Sequence, residues 1–327
     1  MLIGDKMRQE IERDIALNPG MKLSIGILKD GVSEKHLFGK DGQEPYKKYY
    51  YEIGSITKTF VGMLAAKAVS EGRLSMEDSI ARYIPQLSGG KYYPTIKRLV
   101  THTSGYPSDG EDEYDEHGLI KLGNPYRHIN EHQLIETIGR IELDDMDYPV
   151  TYSNLGATVA GYALSRAYGR PFNRLMEDLL KEMELNDTYT LAPPRNLEGI
   201  REDGSPGEHW VWDEDDVYIA AGYLVSSLDD MLKYALLQMD ESNPLIRSCH
   251  ESRAFVTDVG VRQEIGLFWF LFPPLGLIFH NGGTGCFNCG ICVNPEKKVA
   301  VVALSNCYTD SANRVISWAR GLSPDKY

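Results

Sequence analysis

Strand-like segments stand at both ends of this chain of 327 residues, and helical periods fill most of what lies between them, an order that few architectures accept. Lys22 to Lys29 alternates apolar and polar residues, turns at Asp30-Gly31 and continues as a second short strand to Phe38. The β pattern returns only from about Gly266, in Leu267 to Phe272, Gly276 to His280, Cys286 to Val293 and, after the turn Asn294-Pro295-Glu296-Lys297, Val299 to Leu304. Helical spacing marks Asp5 to Leu17, Ser55 to Glu71, Asn130 to Ile141, Asn154 to Tyr168, Pro171 to Met183 and Ser311 to Leu322. Strands so far apart can share one core if the two termini build a single sheet and the helical stretch is inserted into it. The expected fold class is therefore α/β in the α+β sense, an antiparallel sheet flanked by helices plus an inserted all-α region. The expected division is a discontinuous sheet domain, residues 1–75 and 241–327, around a helical domain, residues 76–240.

The Ser55 to Glu71 helix is apolar nearly all round (Ile56, Phe60, Val61, Met63, Leu64, Ala65, Ala68, Val69), so it belongs between layers, with Gly72 as a left-handed cap. Composition narrows the partners. With 34 Lys plus Arg against 47 Asp plus Glu, the formal net charge of −13 opposes nucleic-acid binding. The longest apolar stretch, Leu267 to Phe279, is broken by Pro273, Pro274 and Gly276 and falls short of the roughly 20 residues of a membrane span. Glu10, Glu12 and Asp14 occupy the place of a signal peptide's apolar core, and five cysteines fit free thiols better than a disulfide framework. A cytoplasmic location is expected, or an extracytoplasmic one if a leader preceded these residues.

Ser-x-x-Lys occurs at Ser55/Lys58, Ser88/Lys91 and Ser323/Lys326. The second lies in a glycine loop and the third contains Pro324, so neither holds its two side chains in fixed register. Ser55 opens a helix, where positions three apart share a face and Lys58 reaches the hydroxyl. A serine hydroxyl becomes a nucleophile only when a neighbouring base takes its proton, and a helix N-terminus offers N–H groups to a developing oxyanion. The plain alternative for this pair is a capping serine beside a solvated lysine. Tyr152-Ser-Asn154 precedes a helix, and His280-Asn-Gly282 ends a strand.

Taken in order, Tyr51-Glu-Ile-Gly-Ser-Ile-Thr-Lys-Thr-Phe, Leu99-Val-Thr-His-Thr-Ser-Gly-Tyr106, Tyr152-Ser-Asn, Ala221-Gly-Tyr-Leu-Val-Ser-Ser-Leu-Asp-Asp230 and His280-Asn-Gly resemble the penicillin-recognising serine hydrolases. The match is to the branch that holds class C β-lactamases, DD-carboxypeptidases, D-amino-acid-specific peptidases and related esterases, and it runs from about residue 20 to 306. This resemblance implies a β-lactamase-like fold with Ser55 as acylated nucleophile, Lys58 as its partner and Tyr152 as phenolic general base. It further implies that Asn154 holds the substrate amide and orients Lys58, that His280 lines the sheet side of the cleft, and that the Ser55 and Gly283 N–H groups form the oxyanion hole. Gly282 and Gly283 let a substrate backbone approach the strand closely. No metal or organic cofactor is implied.

Class C β-lactamases typically carry Tyr-Ala-Asn and Lys-Thr-Gly, so Tyr-Ser-Asn and His-Asn-Gly point toward the peptidases and esterases. A peptide amide, of the kind cleaved by DD-peptidases or D-specific peptidases, is the first expected substrate, a small carboxylic ester the second, and slow β-lactam binding the third. A histidine in place of lysine weakens carboxylate binding and is expected to titrate near neutral pH. The acidic run Asp109 to Glu116 is expected as a solvated loop or as a lid that favours amines. Cys286, Cys289 and Cys292 have ligand-like spacing, but at about 3.3 Å per residue strand positions three apart face opposite ways. His128 and His132 lack the His-Glu-x-x-His pattern. The absence of Gly-x-Ser-x-Gly argues against an α/β-hydrolase.

Overall fold

The computed structural model describes residues 2–87, 89–108, 123–201 and 203–323. Its centre is a nine-stranded antiparallel sheet whose order across the sheet is Gly42–Glu44, Val32–Gly39, Leu23–Lys29, Val299–Ser305, Asn288–Asn294, Leu277–Gly283, Phe270–Phe272, Gln263–Ile265 and Ala254–Thr257. The join between the two ends of the chain is the pairing of Leu23 with Ser305 through Lys29 with Val299. Asp30 and Gly31, both at positive φ (51° and 78°), make the tight turn between the first two strands.

The sheet has a different core on each face, and strand alternation decides which residue serves which. Ala300, Val302 and Leu304 join the cluster shared with the helical region, while Val301 and Ala303 join a second cluster beneath the Asp5–Leu17 and Ser311–Leu322 helices. Cys289 and Cys292 divide in the same way, Cys289 in the first cluster and Cys292 in the second. These strand cysteines therefore face opposite sides, as their spacing predicts.

The Thr57–Ser70 helix lies in the larger core with its apolar surface covered on nearly every side. It ends where expected: Gly72 takes φ 67°, and the N–H groups of Gly72 and Arg73 bond the carbonyls of Val69 and Ala68. The Asn154–Tyr168 helix closes on Gly169 at φ 64°, and Asn130 caps the Glu131–Arg140 helix with a reciprocal capping box to Gln133.

One expected strand is shorter than its apolar run. Leu267 and Phe268 leave the sheet to bond Cys249 and Val100, with Phe268 at φ 63°, so regular pairing starts only at Phe270. Among the described residues no helix is long and apolar enough to cross a membrane. Asp109 to Glu116 lies outside the described residues.

Candidate active site

Ser55 sits in a one-turn 3-10 segment, Gly54–Ile56, that runs directly into the Thr57–Ser70 helix. The sequence places Ser55 at the start of the helix itself; the tighter turn arises because Gly54 takes φ 50° against the end of the sheet. A side chain at Gly54 would meet the Gly283 carbonyl oxygen at 2.6 Å and the Gly283 nitrogen at 2.7 Å. One at Gly282 would lie 2.0 Å from the Ile53 oxygen and 2.7 Å from the Ser55 nitrogen. Such distances exclude any Cβ, so glycine on both chains is what brings the Ser55 and Gly283 backbones together.

Lys58, fully buried one turn along, donates from Nζ to Ser55 Oγ at 2.9 Å and to the Ala221 carbonyl at 2.6 Å. Its Nζ also stands 4.8 Å from the centroid of the Tyr152 ring. A buried ammonium is tolerated only where acceptors and π-faces surround it, and these three supply that environment. Of the other two Ser-x-x-Lys pairs, one member each is described. Lys91 donates to Gly139 and Glu142, Ser323 Oγ donates to Ala319, and Ser88 and Lys326 lie outside the described residues.

Tyr152 and Asn154 line a cleft of about 490 Å³ together with Ser55, Asn281, Gly282 and Gly283. Asn154 Nδ2 donates to Tyr126 Oη at 2.8 Å, and Tyr126 stacks on Tyr218 with ring centroids 4.9 Å apart. Trp210, Trp212, Phe270 and Tyr308 add an aromatic part of the wall. Sequence reasoning missed this wall because its members are scattered from position 126 to 308 and share no local pattern. The Ala221 carbonyl was within reach, since the Ala221-Gly-Tyr segment stood among the matching motifs.

His280 departs from expectation. It is fully buried behind Tyr152 and Phe270, with ring centroids 6.4 and 5.8 Å away, and the sheet side of the cleft is formed instead by Asn281, Gly282, Gly283 and Thr284. Nδ1–H donates to the Asn281 carbonyl, so the neutral ring leaves a lone pair on Nε2 and offers no charge. Burial first, and the Lys58 charge next, push its pKa down to about 3 against the opposing pull of the Asn281 carbonyl. The neutral-range titration expected from the sequence is thereby lost. The folded state holds the neutral form, so the stability linked to it is complete above about pH 6.5 and disappears as pH falls toward 3. In NMR spectra of histidine-labelled protein the His280 ring signals are expected to stay flat from about pH 5 to 8; a midpoint near 6.5 contradicts this burial.

The metal-like residues are already engaged by the protein. His128 lies not beside His132 but beside Asp213 and Asp216. Arg127 binds both Asp213 oxygens at 3.0 and 3.2 Å, and the two Asp216 oxygens accept the His128 and Asp213 N–H groups.

A family model described as Beta-lactamase matches residues 21–323. The chain belongs to the beta-lactamase family. Among curated relatives in this family, Protein flp of Staphylococcus aureus (strain MW2) is 24% identical over 306 residues, covering 89% of this chain. The chain spans 59% of that protein's length. A Beta-lactamase of Pseudomonas fluorescens is 25% identical over 342 residues, 90% of each chain. The beta-lactamase fold is matched by the solved Beta-Lactamase/D-Alanine Carboxypeptidase of Pseudomonas syringae, with TM-score 0.78, 21% identity and 98% of both chains covered. The octameric penicillin-binding protein homologue of Pyrococcus abyssi gives TM-score 0.79 at 22% identity over 97% of this chain and 77% of that one.

Proposed function

We propose that the protein is a serine hydrolase that works through an acyl-enzyme on Ser55. The observation that carries this reading is the Ser55–Lys58–Tyr152 arrangement, with one buried ammonium 2.9 Å from the hydroxyl and 4.8 Å from the phenol ring. Lys58 Nζ lies 2.9 Å from Ser55 Oγ and 2.6 Å from the Ala221 carbonyl, and we assign it the ammonium form. A phenol serves as base at neutral pH only where a cation favours the phenolate, and Lys58 is that cation. Tyr152 removes the Ser55 proton as Oγ bonds the acyl carbon, then passes it to the departing oxygen or nitrogen as that bond breaks. Water reverses the sequence: it loses a proton to Tyr152 as its oxygen bonds the acyl carbon, and the proton passes to Ser55 Oγ as the acyl–Oγ bond breaks and the acid leaves. The Ser55 and Gly283 N–H groups are assigned to the oxyanion.

The cleft favours acyl donors without an anchoring carboxylate. None of the described residues lining it is lysine or arginine, the neutral His280 lies buried behind it, and aromatic rings make up much of the lining. This reverses the order expected from the sequence and puts small carboxylic esters ahead of carboxylate-terminated peptides. A peptide amide is the second reading, supported by Asn154 in the cleft wall and by the edge Gly282–Gly283 that an extended backbone could approach. Turnover of p-nitrophenyl esters, of D-Ala-D-Ala peptides with free and amidated C-termini, and of a chromogenic cephalosporin separates these readings. The account predicts that esters exceed the free-acid peptide in kcat/KM by at least about tenfold and that amidation does not slow the peptide. A free-acid peptide preferred over both its amide and the esters contradicts it.

A further inference from the structure

The segment from Leu99 to Tyr106 supplies none of the described residues that line the cleft, yet its His102 is built into the support of Tyr152. His102 is buried, with its backbone at φ 57°, a left-handed conformation that is uncommon outside glycine and persists where the surroundings impose it. Its carbonyl accepts the Thr151 N–H at 2.9 Å, and its Nδ1 accepts the Ser153 N–H at 3.2 Å. Tyr152 lies between these two donors, so one residue grips the chain on both sides of it. The His102 ring also stands 4.7 Å from the Tyr152 ring, tilted by 38°, with Phe268 5.1 Å away from it.

The tautomer follows from these contacts. Because Nδ1 accepts, the neutral ring carries its proton on Nε2, and that buried atom has no hydrogen-bond partner among the described residues. Burial first, then the Lys58 charge, keep the ring well below the usual imidazole range, so it stays neutral. The bond from Ser153 is thus the polar contact that fixes the ring, and an apolar residue of equal volume would fill the space without making it.

We propose that His102 is a positioning residue for Tyr152, its carbonyl and Nδ1 holding the Thr151–Ser153 backbone so that the phenol keeps its place over Lys58. The proposal rests on the reading of Tyr152 as proton carrier. Asparagine can place an acceptor where Nδ1 lies and suits left-handed backbone, whereas glutamine keeps bulk but moves its polar atoms to the Nε2 position. Steady-state kinetics on a p-nitrophenyl ester, with thermal melting as the folding control, tests this. His102→Gln is expected to lower kcat by about 10²-fold with KM within about threefold, and His102→Asn to recover kcat to within about tenfold of wild type. In a Tyr152→Phe background, His102→Gln is expected to cost no more than about threefold, because the group it positions has gone.

A folded His102→Gln enzyme with wild-type kcat overturns the proposal, as does an equal loss with and without the Tyr152 hydroxyl. If His102→Gln does not fold, His102→Asn decides: a folded variant as slow as Tyr152→Phe overturns it, and one near wild type supports it. A fully active Tyr152→Phe enzyme fails the underlying reading and is recognised separately from either result.

Discussion

Ser55→Ala is expected to lower kcat/KM by at least about 10³-fold on whichever ester or amide the protein turns over best, while leaving it folded. The two halves of this prediction have separate causes. Without Oγ no acyl bond can form, and water held in the cleft has no covalent route. Folding depends little on Oγ, since Lys58 keeps the Ala221 carbonyl at 2.6 Å and the Tyr152 ring at 4.8 Å after the serine hydroxyl is removed. Losing one hydrogen bond to a charged group costs about 1.5–3 kcal/mol, a shift in the melting midpoint and not a collapse. Kinetics and a melting curve on the same sample separate the two. Full activity in Ser55→Ala removes the nucleophile assignment.

Tyr152→Phe is expected to lower kcat by about 10²- to 10⁴-fold, the range that a positioned proton carrier contributes. Phenylalanine keeps the ring, and with it the contact to Lys58 and the packing on His102, so this variant removes little besides the hydroxyl. Both acylation and deacylation slow, because the same hydroxyl serves each proton transfer. The competing assignment makes Lys58 the base, and under it Tyr152→Phe loses only a few-fold. Pre-steady-state release of p-nitrophenol distinguishes them: a diminished burst rate is expected, and an unchanged one assigns the proton elsewhere.

Segments with long, unbroken periodicity were legible in the sequence. Asp5–Leu17, Asn154–Tyr168 and Ser311–Leu322 form helices with the expected limits, because their apolar spacing and caps or turn residues agree with the tertiary packing. The outer strands Ala254–Thr257 and Gln263–Ile265 escaped notice. Ala254–Thr257 is the sheet's edge and Gln263–Ile265 its three-residue neighbour, and their pairing is set by neighbouring strands and not by their own alternation. Leu267–Trp269 misled in the opposite direction, since an apolar run reads the same whether it pairs in a sheet or crosses into a helical core.

At the site, the Ser55/Lys58 spacing was readable because a helix face is a local property. The burial of His280 was not, because it depends on Phe270 and Tyr152 closing over the ring from other elements. That tertiary fact turns an expected pH-dependent cation into a neutral ring, which is why we propose an ester ahead of a carboxylate-bearing peptide. His102 was visible within a matching motif, but its function lies in two backbone contacts that no residue pattern displays.

The most direct measurement of the central claim is the mass of the protein trapped during turnover. The enzyme is mixed with a p-nitrophenyl ester, quenched in acid within the burst, digested and mapped. One acyl group is predicted on the peptide that carries Ser55, absent from the Ser55→Ala protein. Continued turnover with no acylated peptide, or an acyl group on any other residue, contradicts the account.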